Sequence, residues 1–419
     1  MKLKCENIGK LTSAEVEINT ITLIAGLNGT GKSTIGKLLY CIFNSFYNFE
    51  KKAESTLKNF IANAFFEIPF PFPSLDDCIE ELYKLRFTQD TDLIKKTIID
   101  YAGDKFFNKK NQIIADRIIE LLNLSDEDIY KRVLQTKFYS EFGNQIQNIF
   151  SDKRNANVIL TIKNEDISVS IKNDKIYSLK NFQNLKTEAV YIDDPFVLDD
   201  LSSTMRDYYI RDNHKNHLQR KLASKVINGS DMDMAIQELF ATRQLDKIYR
   251  LIDSVCNGNI IQESKRTFTF QYEGSKKTLS LGNLSTGLKT FSIIKTLLVN
   301  GTLSQNGTII FDEPEIHLHP EWQKLLAEII VLIQKEFGMH ILINSHSPYF
   351  INAIDVYAKK HKIRETCKFY LAEDENTSAH TSKIVDVSGN IEAINKLLFI
   401  PLQDLENVRS NIDSEDEDD

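Results

Sequence analysis

Cysteine is scarce: Cys5, Cys41, Cys78, Cys256 and Cys367 make five, an odd number with no CxxC spacing. That pattern excludes a disulfide frame or a zinc ribbon and implies buried thiols in a reducing compartment. Glycine and proline are sparse too, 16 and 8 in 419 residues, so most of the chain should be ordered rather than linker. No apolar run approaches the length of a membrane span, and the opening MKLKCENIGK is too polar for a signal peptide. The expectation is a cytoplasmic protein with no membrane partner. A basic excess is also missing. Net charge is −8, but Asp413, Glu415, Asp416, Glu417, Asp418 and Asp419 crowd the last residues, which leaves the rest close to neutral. Near-neutrality gives no support for a nucleic-acid surface, although basic patches can be local. Residues 403–419 read as an acidic tail of solvating chain. No fixed-period repeat appears, and no heptad run is long enough for a coiled-coil arm.

What is present is a hydrophobic share of 42%, enough for one large or two ordinary packed domains. Residues 1–25 alternate apolar and polar positions, which predicts a hairpin feeding a buried strand over Thr20–Ala25. A glycine-rich turn from Gly26 leads into a helical period over Thr34–Phe43. The 46–156 stretch is helical in character, with a capping box at Ser125 and Asp128 and an extended IPFPFPS loop at 68–74. Residues 157–180 read as a three-stranded meander, followed by the strand AVYID (189–193) and a helical stretch over 201–256. TFTFQY and KTLSLG, within 267–282, are strands again. From Leu284 onward turn, helix, strand, helix, strand and helix alternate, as in a parallel α/β sheet.

Four motifs carry chemistry. GLNGTGKST (Gly26–Thr34) matches G-x-x-x-x-G-K-[ST] between a strand and a helix. Gly29 and Gly31 let the backbone curl so that N–H groups face β- and γ-phosphates, and the following helix adds its N-terminal dipole. Asn28, Gly29, Thr30, Gly31, Lys32, Ser33 and Thr34 are therefore the candidate nucleotide-binding residues. Lys32 supplies a cation to the phosphates, and Ser33 supplies a hydroxyl to Mg²⁺. GTIIFDEPE (Gly307–Glu315) is an apolar strand ending in paired acids. Charges beside a core are costly unless paired or metal-bound, so Asp312 is read as a Mg²⁺ holder and Glu313 as the group that polarises the attacking water. LSTGLKT (Leu284–Thr290) precedes a helix, and taken alone is ordinary capping chemistry. ILINSHSPYF (Ile341–Phe350) is another apolar strand ending in Asn344, Ser345 and His346. EIHLHPEW (315–322) holds His317 and His319, spaced to share one side of a strand, with no third zinc ligand nearby in sequence.

In this order the motifs resemble those of the ABC ATPases. The resemblance implies an α/β fold: an ABC ATPase head, with a mixed sheet, a P-loop core and an antiparallel β subdomain, carrying helical insertions. It covers residues 1–45 and 157–400, with a helical insertion at 46–156 and a helical subdomain at 201–256. It implies ATP and Mg²⁺ as cofactors and a signature motif at Ser285, Thr286, Gly287 and Lys289. That signature would cap the γ-phosphate bound by a partner subunit, so the chain would work as a homodimer or higher homo-oligomer. His346 would be the switch histidine, acting with Glu313 in catalysis, and His319–Pro320 would lie in the loop that crosses the dimer interface. One departure is visible: where the family has a Q-loop glutamine, AVYID runs into Asp193-Asp194-Pro195-Phe196. Either an acid replaces the glutamine near Mg²⁺, or the Q-loop lies elsewhere.

The detail is most similar to the RecF, SMC and OLD-like branch, through LKCENIGKLTSAEVEI, DEPEIHLHPEW and SHSPYF. OLD-family proteins carry a Toprim nuclease after the ATPase, and too few residues follow His346 for one. The chain therefore resembles the PtuA-type ATPase component of Septu bacterial anti-phage defence. That likeness implies no nuclease activity of its own, a separate HNH-type nuclease partner, and DNA reached through the complex. Two other readings stay open: a RecF-like repair ATPase that binds duplex DNA directly, and a nucleotide-binding switch with little turnover.

Overall fold

The computed structural model describes residues 1–66, 74–88, 90–102, 109–201, 213–224, 245–264, 267–376 and 380–417. The alternating N-terminal pattern becomes β1 (Lys2–Ile8) and β2 (Leu11–Glu17), an antiparallel pair with Leu3, Cys5 and Val16 buried. The meander is β4 (Asn155–Ile162), β5 (Glu165–Lys172) and β6 (Lys175–Lys180), and β4 joins β1 antiparallel. β3 (Ile21–Gly26) is buried at every position, as a strand covered on both faces must be. It pairs in parallel with β12 (His340–Ser345), which pairs with β11 (Thr308–Asp312), which pairs with β7 (Ala189–Ile192).

A feature the sequence pattern did not disclose joins these two halves. β13 (Lys368–Asn376) pairs in parallel with β3, and β14 (Thr381–Asp386) pairs in parallel with β2. Among the described residues one sheet therefore runs β6-β5-β4-β1-β2-β14-β13-β3-β12-β11-β7. The fold is mixed α/β, with a parallel P-loop core and an antiparallel wing. A separate antiparallel sheet holds β8 (Gly258–Ser264), β9 (Thr267–Tyr272) and β10 (Thr278–Ser280).

Side chains alternate across the core strands and found two hydrophobic layers. Ile24, Ile310, Leu342 and Tyr191 face α1 (Lys32–Phe46) and the insertion, while Leu23, Ile309, Phe311 and Ile343 face the opposite side. That second layer is closed by α8 (Thr286–Val299), α9 (Pro320–Phe337) and α10 (Pro348–Lys360). Phe311 is 1% exposed. Truncating such a ring to alanine costs about 3–5 kcal/mol.

The insertion is α2 (Phe49–Phe66), α3 (Leu75–Lys84), α4 (Thr91–Ala102), α5 (Lys109–Leu122) and α6 (Asp126–Phe142). Ser125 caps α6 as expected, accepting the Asp128 N–H at 3.1 Å. The insertion shares its core with α1 and the wing, and Gln135 ties α6 to the β5–β6 turn through Asp174 and Ile176. Of the 201–256 stretch, α7 (His214–Ala223) and a helix at 245–253 are seen, while 202–212 and 225–244 lie outside the described residues, as does the loop at 68–73. The acidic tail departs from expectation: α11 (Glu392–Glu417) carries the backbone as helix as far as Glu417. After Pro401 the segment holds no glycine or further proline, and its Leu, Gln, Glu and Arg are good helix formers.

Candidate nucleotide site

Ligand sites of open α/β sheets form beyond the carboxyl ends of the parallel strands. Here β3, β12, β11 and β7 all deliver their ends to one place. After β3 the chain curls through Gly29 (φ +78) and Gly31 (φ +85), left-handed values that side chains rarely adopt. Gly31 is the N-cap of α1 and leaves that helix start without a side-chain cap or an acid in its first turn. The orphan N–H groups and the dipole there suit an anion. Thr30 donates its hydroxyl to the Leu27 carbonyl at 2.8 Å and so braces the loop from inside. Asn28 and Gly29 are exposed, and Ser33 and Thr34 are half-buried. Lys32 is buried and folds back, with Nζ donating to the carbonyls of Gly26 and Leu27, each at 2.9 Å.

The second half of the site ends β11 and β12. Asp312 is 8% exposed, and both of its oxygens are held: the Tyr191 hydroxyl donates to Oδ2 at 2.6 Å and the Asn344 amide to Oδ1 at 2.9 Å. Glu313 follows with φ +52, a left-handed conformation for a side chain that is neither Gly nor Asn. Backbone strain of this kind persists where the surroundings impose it, and here the Glu313 N–H is pinned to the Asn344 carbonyl at 2.9 Å. The turn sends Glu313 Oε1 to 3.5 Å from Lys32 Nζ and 3.1 Å from His346 Nδ1. The histidine contact has an ion-pair distance without hydrogen-bond geometry. Lys32, Asp312, Glu313 and His346, expected from separate motifs, thus meet in one cluster.

Three neighbours of this cluster, Glu315, Lys10 and Tyr191, were missed by sequence reasoning. Glu315 is buried, its carboxylate accepting the Ser345 hydroxyl at 2.5 Å, and burial raises its pKa despite that bond. Ser345 Oγ in turn accepts the Ser347 N–H at 3.1 Å, which shapes the turn that carries His346. Lys10, in the β1–β2 turn, brings its Nζ to 3.7 Å from where a Cβ on Gly29 would stand, so a further cation overhangs the loop. Tyr191 had one usable signal: a buried tyrosine needs a partner for its hydroxyl.

The signature segment lies elsewhere. Ser285 is the exposed N-cap of α8, and among the described residues no hydrogen bond or ion pair links 284–290 to 26–34. Thr286 opens the helix, half-buried. Gly287 is buried for a steric reason, since a Cβ there would stand 2.6 Å from Trp322 Cζ3. Lys289 corrects an expectation. It does not face outward with Ser285 but is 2% exposed, ion-paired to Asp199 at 2.5 Å and 4.8 Å above the Phe196 ring. One turn beyond the cap, it falls on the helix face that packs against the 3-10 turn at Pro195–Leu198.

His317 and His319 do not lie on a strand. His317 sits in a turn with φ +67, and His319 caps α9 by accepting the Glu321 N–H. Asp193 and Asp194 border a cavity of about 380 Å³ together with Glu313, Phe196, Thr290 and His317. Both acids are already engaged, Asp193 by His214 at 2.9 Å and Asp194 by Lys215 at 3.1 Å. For Mg²⁺ the donor set fits: a hydroxyl at Ser33 and a buried carboxylate at Asp312, oxygen ligands that leave room for phosphate and water.

Residues 1–351 match the family described as the AAA ATPase domain. The chain belongs to that family. Its ATPase domain therefore spans the P-loop, the insertion, the paired acids, β12 and the turn that carries His346. The chain is also similar to an OLD nuclease of Thermus scotoductus, 24% identical over 136 residues, a match that spans 31% of this chain and 26% of that protein. Among solved structures it is similar to an SMC head bound to the C-winged helix domain of ScpA, with TM-score 0.46 and 13% identity over 94% of this chain and 98% of that one. The SMC head domain from Thermotoga maritima gives TM-score 0.38 and 12% identity, over 92% and 98%. No helix among the described residues is long and apolar enough to cross a membrane.

Proposed function

We propose that this ATPase domain binds MgATP at Gly29–Thr34 and hydrolyses it to ADP and phosphate. The observation that carries the reading is the meeting of Glu313 with Lys32 and His346 beside an Asp312 fixed from two sides. In the nucleotide-bound state Lys32 exchanges its carbonyl partners for the β- and γ-phosphates, and the α1 N-terminus takes the remaining phosphate charge. Ser33 and Asp312 would hold Mg²⁺, which would supply neutralisation of the phosphate charge. Glu313 orients a water and accepts its proton as the water oxygen forms a bond to the γ-phosphorus and the bond to the ADP oxygen breaks. His346 donates to the γ-phosphate. Ser285, Thr286 and Gly287 act in trans, a reading supported by the exposed Ser285 cap of α8 and by the lack of any hydrogen bond or ion pair from 284–290 to 26–34 among the described residues. The chain therefore closes as a homodimer around nucleotide, and higher oligomers build on that pair.

The wider role we propose is control of a separate nuclease in anti-phage defence. The likeness to a protein named as a nuclease, over a segment of 136 residues, supports it. The engagement of Asp193 and Asp194 with His214 and Lys215 favours one competing reading, a switch that binds nucleotide and scarcely turns it over. Phosphate release decides between them. Steady Mg²⁺-dependent release, abolished in Glu313→Gln with accumulation of an ATP-bound dimer on size exclusion, is the expected result. Release unchanged in Glu313→Gln would remove the assignment, and no release from the parent chain would leave the switch.

A further inference from the structure

The Asp312 carboxylate is not positioned by its own strand alone. The Tyr191 hydroxyl that holds Oδ2 belongs to β7, and its ring packs against the His214 imidazole, centroids 4.5 Å apart and planes 39° from parallel. His214 is the first residue of α7, and carboxylates grip both of its ring nitrogens: Asp193 Oδ2 lies 2.9 Å from Nε2 and Glu141 Oε2 lies 2.5 Å from Nδ1. The other oxygen of Glu141 accepts the His214 backbone N–H at 2.7 Å. Glu141 comes from α6, the last helix of the insertion, and its side chain is 1% exposed. Tyr40 from α1 stands edge-on to both rings, 6.1 Å from Tyr191 and 6.0 Å from His214, and closes the remaining side.

A buried carboxylate with no cationic partner is expensive. Glu141 instead lies against an imidazole that carboxylates hold at both ring nitrogens. Burial would lower the His214 pKa, but Asp193 and Glu141 outweigh it and raise it to about 9. A ring bonded at both nitrogens cannot turn, so it presents a fixed wall to Tyr191. The phenol then has one place to go, against Asp312.

We propose that Glu141 is a positioning residue for the Mg²⁺ site: through His214 and Tyr191 it fixes the Asp312 carboxylate, and so ties metal affinity to the seating of the 46–156 insertion. The inference rests on the ATPase reading above. Outer-shell partners of metal ligands commonly alter metal affinity 10- to 100-fold. Tyr191→Phe, which removes the direct bond, is expected to raise the half-saturating Mg²⁺ concentration about tenfold. Glu141→Gln, two contacts removed, is expected to raise it about threefold, and the double variant to gain little more than Tyr191→Phe.

The readout is binding of a fluorescent ATP analogue, measured in EDTA and then across a Mg²⁺ titration, in the full chain. Affinity in EDTA should stay level in all variants while the Mg²⁺ midpoint moves. Glu188→Gln serves as the structural control. Glu188 is a half-buried acid paired with His217 and Lys221 beside the same aromatic layer, and its loss should lower the unfolding midpoint without moving the Mg²⁺ midpoint. If Glu141→Gln leaves the Mg²⁺ midpoint where it is while Tyr191→Phe shifts it, the inference fails. It also fails if Glu188→Gln shifts it equally. If the parent chain binds the analogue with no response to Mg²⁺, the ATPase reading fails instead.

Discussion

Gly287 separates two explanations of a signature glycine, close approach to phosphate and close approach within its own chain. A Cβ at this position would stand 2.6 Å from Trp322 Cζ3, 2.7 Å from Cε3 and 3.2 Å from Leu318 Cδ2. Trp322 is the first-turn residue of α9 and is itself braced edge-on by Phe291 at 5.8 Å. The ring cannot slide away without parting from Phe291, so Gly287→Ala must push α8 from α9. Overpacking of this kind costs about 1–3 kcal/mol, equivalent to a fall of several degrees in the midpoint for a domain this large. The assay is built into the chain, because Trp322 is its sole tryptophan and its emission reports the surroundings of this one ring. Gly287→Ala is expected to lower the urea midpoint and shift Trp322 emission without nucleotide present. Trp322→Phe, with a smaller ring, should recover part of the loss when combined with it, a coupling that a double-mutant cycle reads directly. An unchanged midpoint and emission in Gly287→Ala would refute the steric argument and return the glycine to a purely phosphate-facing role.

Lys32→Ala should remove most nucleotide affinity and cost little stability, since among the described residues its Nζ is held by two loop carbonyls and a loose contact to Glu313; equilibrium nucleotide binding and a urea melt check both halves. Lys10→Ala should weaken ATP several-fold more than ADP at low ionic strength, an effect that salt erases; equal loss for both nucleotides would place Lys10 off the γ-phosphate. Glu315→Gln should keep or raise stability at neutral pH, because burial already disfavours the charged form and an amide oxygen still accepts from Ser345; a large destabilisation would mean that the ionised form is needed. Stability should fall from pH 6.5 to about 9. His214 is raised from 6.5 to about 9 on folding, so its contribution, on the order of 3 kcal/mol, is complete below the unfolded value and lost as pH climbs through the folded one. On the acid side burial would raise Glu188, but His217 and Lys221 lower it from 4.5 to about 2, so that contribution is present above 4.5 and fades as pH drops toward 2. Urea midpoints at pH 5.5, 7.5 and 9, with a flatter alkaline limb in His214→Phe, check the sign.

The candidate side chains that the fold brings together could be picked out in the sequence because phosphate-binding patterns are written in short segments. Gly29 to Thr34 lie in one short segment, Asp312 and Glu313 are adjacent, and His346 directly follows a strand whose apolar run is visible by itself. The two strand ends meet because both strands lie beside one another in parallel register, Asp312 opposite Asn344. What positions those residues is not local. Tyr191 and Asp312 are 121 residues apart, and Glu141 and His214 are 73 apart. A glutamate in helix α6 reads as one more polar residue of an amphipathic helix until the fold buries it. β13 and β14 were unread for a related reason: the polar and charged residues of KFYLAEDEN and TSKIVD mask the strands. The error at Lys289 is of the same kind, since a lysine beside a signature motif looks like a phosphate ligand until Asp199 and Phe196 are seen to take it inward. An insertion such as 46–156 is therefore the place where sequence gives least and regulation can act most. It reaches Asp312 through the buried contacts of Glu141, His214 and Tyr191, which no motif encodes.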